Sequence, residues 1–169
     1  IHIGGGALAP NLKRQATERG IADRIEWRGS QSQESVIAAY READLFALAN
    51  RVAANGDRDG LPNVLVEAQS QALACVASNS AAVPELIVDG INGRLVAPDD
   101  AAALSSALSA LISDPAMRLA FGAAGRKIVE DRFDHRRGID LLAAMFAADG
   151  LLDTRAEDGP APKAAAVAG

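Results

Sequence analysis

Asp44-Leu45-Phe46-Ala47-Leu48-Ala49, a loop over residues 50–61, and Pro62-Asn63-Val64-Leu65-Val66-Glu67-Ala68 read in succession as strand, crossover loop and helix. The first run is apolar almost without interruption, as a strand covered on both faces of a parallel sheet is. Pro62 suits the first helical position, where its missing N–H leaves nothing unsatisfied. The next amides, on Asn63 and Val64, point out of the positive end of the helix dipole, a ready site for a phosphate or carboxylate. Gly60 leaves the backbone open to an anionic ligand. Glu67, four residues beyond Asn63, shares its face and sits about one turn deeper at ~1.5 Å per residue. A carboxylate there can accept two hydrogen bonds from a vicinal diol such as a ribose. Asp59 stands on the loop side, where a sugar attached to the phosphate would lie. Asp-Gly is also a common turn, and many helices start with Pro and carry Glu on a wet face. The stretch alone therefore leaves a plain loop-to-helix junction open.

Composition narrows the classes. A chain of 169 residues forms one domain, or one domain with a tail. Hydrophobic residues make up 49%, many of them Ala, which is enough for a core. A net charge of -5 argues against a nucleic-acid or anionic-membrane surface as main partner. At 4% aromatics there is no stacking platform for single strands. No apolar run approaches the ~20 residues of a membrane span. The single cysteine, Cys75, lies in the apolar run Ala74-Cys75-Val76-Ala77, which reads as a buried, inert thiol. His2 and His135 are far apart and offer no metal-ligand spacing. The chain is expected to be cytoplasmic and metal-independent. It opens within a strand-like run, Ile1-His2-Ile3, with no methionine, and is read as a piece of a longer protein.

Strands and helices alternate along the chain. Ile1-His2-Ile3 runs into Gly4-Gly5-Gly6, and a helix over residues 10–19 is ended by Gly20. Residues 24–29 alternate as a half-buried strand. A helix over residues 34–42 puts Val36, Ile37 and Tyr40 on one stripe. After the central helix come a strand over residues 74–78, a short helix over 84–88 and a strand over 94–96. Asp99 and Asp100 cap the next helix, Asp114-Pro115 opens another, and Asp134 opens the last, to residue 148. In that helix Leu141, Leu142, Met145 and Phe146 form a broad apolar stripe. The division expected is a Rossmann-like domain over residues 1–133, a crossover helix over 134–150 and a disordered tail over 151–169. The alternation predicts a doubly wound parallel α/β sheet, in which ligands bind beyond the carboxyl ends of the strands. The central loop leaves such an end. Gly4-Gly5-Gly6 lacks the full dinucleotide spacing and there is no Walker A lysine, so a tight turn lining the cleft is its expected role. Arg136-Arg137 reads as a solvated or interdomain charge.

Asp59-Gly60-Leu61-Pro62-Asn63-Val64-Leu65-Val66-Glu67-Ala68 followed by Val83-Pro84-Glu85-Leu86-Ile87-Val88-Asp89-Gly90-Ile91-Asn92-Gly93 resembles the C-terminal domain of family 4 retaining glycosyltransferases. Tyr40-Arg41-Glu42-Ala43-Asp44, Ala97-Pro98-Asp99-Asp100 and Gly122-Ala123-Ala124-Gly125-Arg126 are further family-like features, in order over residues 1 to about 146. The resemblance implies the GT-B architecture, two Rossmann-like domains facing a cleft, with this chain as the C-terminal half lacking its first strand. It implies hexosyl transfer from a nucleotide-diphospho-sugar, the donor substrate, with retention and without metal or other cofactor, in polysaccharide or glycoconjugate biosynthesis. Asp59 then faces the donor sugar as the catalytic acid of the family's pair, and Glu67 holds the ribose. Backbone at Gly60, Leu61, Asn63 and Val64 meets the diphosphate and sugar hydroxyls, and the turn at Arg28 and Gly29 forms the base-binding edge. A saccharide or lipid-linked acceptor, and any peripheral membrane contact, would come through an N-terminal domain.

Three departures stand out. Asp59 is one methylene shorter than the Glu usual there. Ala81-Ala82 replaces a common Gly-Gly. Basic residues for the diphosphate are not found in this sequence. Two other readings remain open: a nucleotide-sugar-modifying enzyme of the same architecture, epimerase-like, and a non-catalytic nucleotide-sugar-binding module.

Overall fold

A computed structural model describes residues 1–51 and 60–148. Among these, the order is β1 (His2–Ile3), α1 (Ala9–Glu18), β2 (Trp27–Gly29), α2 (Gln33–Glu42), β3 (Leu45–Leu48), α3 (Asn63–Ser70), β4 (Ala74–Ser78), α4 (Val83–Leu86), β5 (Gly93–Val96), α5 (Ala101–Ser113), α6 (Pro115–Arg132) and α7 (His135–Ala148). Every strand pairing is parallel, as expected of α/β crossovers. β1 lies beside β2, with His2 opposite Trp27. β4 is the middle of a second sheet, with Phe46 and Gly93 both opposite Cys75.

The core is built around β4, whose five residues are all buried. On one face Ala74 and Val76 pack with Val96, Ala107, Leu111 and Phe121, under α5 and α6. α3 packs on β4 through Leu65 and Ala68, both fully buried. Small residues let these layers approach closely. A methyl on Gly93 would stand 2.7 Å from the Cys75 carbonyl oxygen. One on Gly125 would stand 2.9 Å from Gln69 Cδ, and one on Gly122 would overlap the Ala72 carbonyl. α6 therefore docks on the C-terminal end of α3 through two glycines.

Polar groups in this core are matched. Asn92, fully buried, accepts from the Val88 amide at 2.7 Å and donates to the Leu86 carbonyl at 2.9 Å and to Gln69 Oε1 at 3.2 Å. Gln69 returns a bond to the Asn92 carbonyl at 3.0 Å. Arg118 closes the far side: it donates to the carbonyls of Leu111 and Ile112 at 2.7 and 2.8 Å and pairs with Asp44 at 3.6 Å.

Several local expectations are corrected. The half-strand over residues 24–29 is shorter, because a 3-10 turn takes up Ala22–Arg24 and only Trp27–Gly29 pairs. Pro62 is the N-cap of α3 rather than its first helical residue, since its ψ of 119° is extended. β3 is only half covered, with Ala47 exposed. The capping expectations hold for Asp100 on the Ala103 amide (2.8 Å) and Asp114 on the Met117 amide (2.9 Å). The chain divides into Ile1–Glu130 and a second unit beginning at Asp131. In the second unit α7 shows Ile139, Leu141, Leu142, Met145 and Phe146 at its surface. The expected tail over residues 151–169 lies outside the described residues.

Candidate functional site

The N-terminus of α3 carries most of the expected site. Leu65 fixes it: its side chain is buried against the sheet and its amide donates to the Pro62 carbonyl at 3.0 Å. Among the described residues, no side-chain cap hydrogen bond is made at the N-cap, Pro62. The amides of Asn63 and Val64 thus start α3 on two exposed residues, with exposed Gly60 just before them. Leu61 is half-buried. Glu67, one turn on, is half-buried, and its carbonyl accepts from Ser70 Oγ at 2.6 Å. An anion at the helix start and a hydroxyl-rich group along Asn63 and Glu67 both suit these donors and acceptors. Asp59, the expected catalytic acid, lies outside the described residues.

Arg28 and Gly29 are placed differently. They end β2, in the two-stranded sheet. Arg28 donates to Glu26 through Nε at 2.9 Å and Nη2 at 3.2 Å and lies 3.9 Å from Glu42. Its hydrogen bond holds the Glu26 carboxyl below its ordinary value and raises the guanidinium in return. The Arg28 side chain is therefore occupied by its own neighbours, which leaves the backbone of the turn for any base contact. Gly29 has φ +64° and its carbonyl accepts from the Gly4 amide at 2.8 Å. Gly4 and Gly6, at φ +126° and +139°, make the tight turn expected after β1, and Gly5 lies against Ser30.

Past the carboxyl ends of β3, β4 and β5, a cavity of about 250 Å³ is lined by Asn50, Ser78, Ala97 and Asp99, among others. Asn50 Oδ1 is buried there without a partner, as is Ser80 Oγ in the loop after β4. In that loop Ala81 has φ +48°, a left-handed conformation that glycine adopts without strain. Alanine at this position therefore holds a backbone conformation that costs an L residue strain. Among the described residues, no group of three or more His, Cys, Asp or Glu is arranged to hold a metal ion, and no helix is long and apolar enough to cross a membrane.

The residue that sequence reasoning missed is Tyr40. Its stripe with Val36 and Ile37 marked it as core, and it is 8% exposed, edge-on to Phe46 at 5.4 Å. Its hydroxyl, however, lies within electrostatic reach of Glu67. A buried tyrosine hydroxyl needs a partner, and that need was the available signal. Burial first, then the Glu67 charge, pushes the Tyr40 hydroxyl up to about 12. Since the folded state holds this proton more tightly than the unfolded chain, whose tyrosine titrates near 10, the associated stability is complete below about pH 10. It is lost as pH rises from there through about 12. Denaturation midpoints should fall more steeply over that window in the parent than in Tyr40→Phe; equal slopes would contradict the placement. Cys75, pushed up to about 12 by burial, is inert as expected and contributes in the same direction to both proteins.

Residues 1–128 match the family model of glycosyl transferases group 1, and the chain belongs to that family. Over 146 residues it is 33% identical to the GDP-mannose-dependent alpha-(1-6)-phosphatidylinositol monomannoside mannosyltransferase of Mycolicibacterium smegmatis, covering 86% of this chain and 38% of that protein. The fold is that of Anabaena HepE, solved with UDP and glucose: TM-score 0.76, 20% identity, 86% of this chain and 39% of that one. It is also similar to the C-terminal domain of a group 1 glycosyl transferase, LpcC, from Francisella tularensis, with TM-score 0.64 and 25% identity over 74% of this chain and 62% of that one. The architecture is therefore that of a GT-B C-terminal domain. The chain spans well under half the length of the curated relatives it matches.

Proposed function

We propose that this chain is the donor-binding domain of a cytoplasmic enzyme that transfers a hexose from a nucleotide-diphospho-sugar to a saccharide or lipid-linked acceptor, with retention at the anomeric carbon. The observation that carries the reading is the start of α3: the amides of two exposed residues, Asn63 and Val64, with no side-chain cap at Pro62 among the described residues, and Glu67 half-buried one turn deeper on the Asn63 face. The diphosphate lies at the amides, where the helix dipole and free N–H groups stabilise the charge that grows on the leaving group. Glu67 accepts from the ribose diol. Asp59 faces the sugar, and the backbone of the turn at Gly29 borders the base. The names of the mannosyltransferase relative and of the UDP- and glucose-bound neighbour support a nucleotide-sugar donor class.

The test is calorimetric. Glu67→Ala is expected to weaken binding of a nucleoside diphosphate to this chain by roughly 10- to 100-fold, since hydrogen bonds to a charged group contribute ~1.5–3 kcal/mol. The fold should persist, because Glu67 is not a core residue. Unchanged affinity would remove Glu67 from the site.

A further inference from the structure

We propose that the cavity past the carboxyl ends of β3, β4 and β5 is a subsite for one uncharged saccharide ring, that of the acceptor. Its assignment to the acceptor rests on the reading of α3 as the donor site; its affinity for a neutral sugar ring does not. Size limits the ligand first. At about 250 Å³ the cavity is smaller than the ~300–1,000 Å³ of pockets that enclose drug-sized ligands, so it takes a single ring. Charge limits it next. Of the two acids lining it, Asp100 caps α5 on the Ala103 amide at 2.8 Å, and Asp99 pairs with Arg51 at 3.4 Å. A carboxylate at the helix start and another on the arginine oppose a phosphate there. The lining points instead to hydroxyls. Asn50 Oδ1 is buried without a partner, and an acceptor so placed carries a penalty that a ligand hydroxyl removes on binding. Ser78, 3% exposed, adds a hydroxyl that both donates and accepts. Val96 and Leu104 supply apolar surface for the C–H groups of a ring. Apolar walls with a few placed polar groups are what small-molecule sites combine.

The walls are fixed by the fold itself. The Asn79 amide donates to the Val96 carbonyl at 2.7 Å, which joins the ends of β4 and β5. The Ser80 amide turns back to the Ser78 carbonyl at 2.9 Å, and the Leu104 amide donates to the Asp100 carbonyl at 3.0 Å. A cavity ordered before binding raises affinity without adding a contact to the ligand. Its polar groups come from the ends of β3, β4 and β5 and the start of α5, whereas the donor reading uses α3 and the turn at Gly29. The loop over residues 50–61 leaves the cavity at Asn50 and reaches Gly60 and Leu61 just before α3. One loop therefore connects the two places. Both lie on the side of the sheet where α/β proteins bind ligands, and a transfer needs its two reactants held side by side.

Amide NMR titration of the full chain with methyl α-mannoside and methyl α-glucoside reads the cavity directly. Saturable shifts of the Ser78 and Ala97 amides and of the Asn50 side-chain amide are expected with at least one glycoside, and none with inorganic phosphate. Asn50→Ala should weaken that binding roughly 3- to 10-fold, the loss of one neutral hydrogen bond. It should not lower the melting temperature, because the oxygen it removes has no partner in the fold. UDP or GDP should shift the Asn63 and Val64 amides and leave the glycoside in place. No saturable shift with either glycoside overturns the proposal, as do shifts confined to Asn63 and Val64. So does unchanged glycoside affinity in Asn50→Ala, whatever its melting temperature. Displacement of the glycoside by UDP or GDP makes the cavity part of the donor site and overturns the acceptor assignment. If the glycoside binds while UDP and GDP shift nothing, the saccharide subsite stands and the reading of α3 fails, taking the acceptor assignment with it. Should Asn50→Ala not fold, the parent decides. Nuclear Overhauser contacts from the glycoside ring to the methyls of Ala97 and Leu104 support the subsite, and their absence overturns it.

Discussion

Gly122→Ala should lower the melting temperature by about 4–8 °C. A methyl at this position overlaps the Ala72 carbonyl oxygen and lies 2.8 Å from its carbon. Neither atom belongs to a side chain that can turn away. Ala72 sits in the tight exit from α3, with its own φ at +57°, its amide bonded to the Gln69 carbonyl at 2.9 Å and the next amide bonded to the Ala68 carbonyl at 3.2 Å. The strain must therefore be relieved by backing α6 off the sheet, which also loosens Phe121 and the contact of Gly125 with Gln69. Overpacking of this kind costs ~1–3 kcal/mol and sometimes more. The helix-propensity gain of Ala over Gly is at most ~1 kcal/mol. A net loss of about 2 kcal/mol, at 2–4 °C per kcal/mol for a domain of this size, gives the stated shift. Gly138→Ala is the control, because nothing lies within 4 Å of a methyl there. If calorimetric melting finds the two variants alike, the close docking of α6 on α3 is wrong.

Asp59→Ala should reduce sugar transfer by the full-length protein by about 100- to 1,000-fold, the loss typical of removing one group that stabilises charge in the transition state. Binding of the sugar-free nucleotide diphosphate should change little, since the proposed partner of Asp59 is the sugar. Asp59→Glu restores the acid usual in the family at this position and should retain most of the transfer rate. Rates and affinities measured side by side separate the cases: if Asp59→Ala transfers like the parent, the residue is only part of a loop.

What the sequence disclosed follows the range of the forces involved. Gly20 past α1 and Asp100 on the Ala103 amide are interactions within one turn, and each was legible from a few neighbours. The alternation of elements was equally clear, because each run shows its own period. The Asn63 to Glu67 face of α3 was legible for the same reason. Distant partners decided the rest. Nothing near Tyr40 announces that its hydroxyl comes under the charge of Glu67, and nothing in Gly122-Ala123-Ala124-Gly125 says that two glycines are required by the Ala72 carbonyl and the Gln69 side chain. Residues 24–29 misled because their alternation begins inside a 3-10 turn. The pairing of the Arg28 side chain with Glu26 and Glu42 was likewise decided in space rather than by pattern.

The reach of Arg118 bears on how the chain is made. Its guanidinium joins the end of α5 to Asp44 at the entrance of β3, and three residues later Phe121 completes the cover over β4. During synthesis, β3 and β4 emerge well before these closing residues. Their apolar faces wait uncovered while some forty further residues are added, roughly 2–8 s at 5–20 residues per second. The sheet beneath α3 is thus committed late, when α6 leaves the ribosome. Until then the nascent chain offers β4, its most buried strand, to any factor that shields apolar segments.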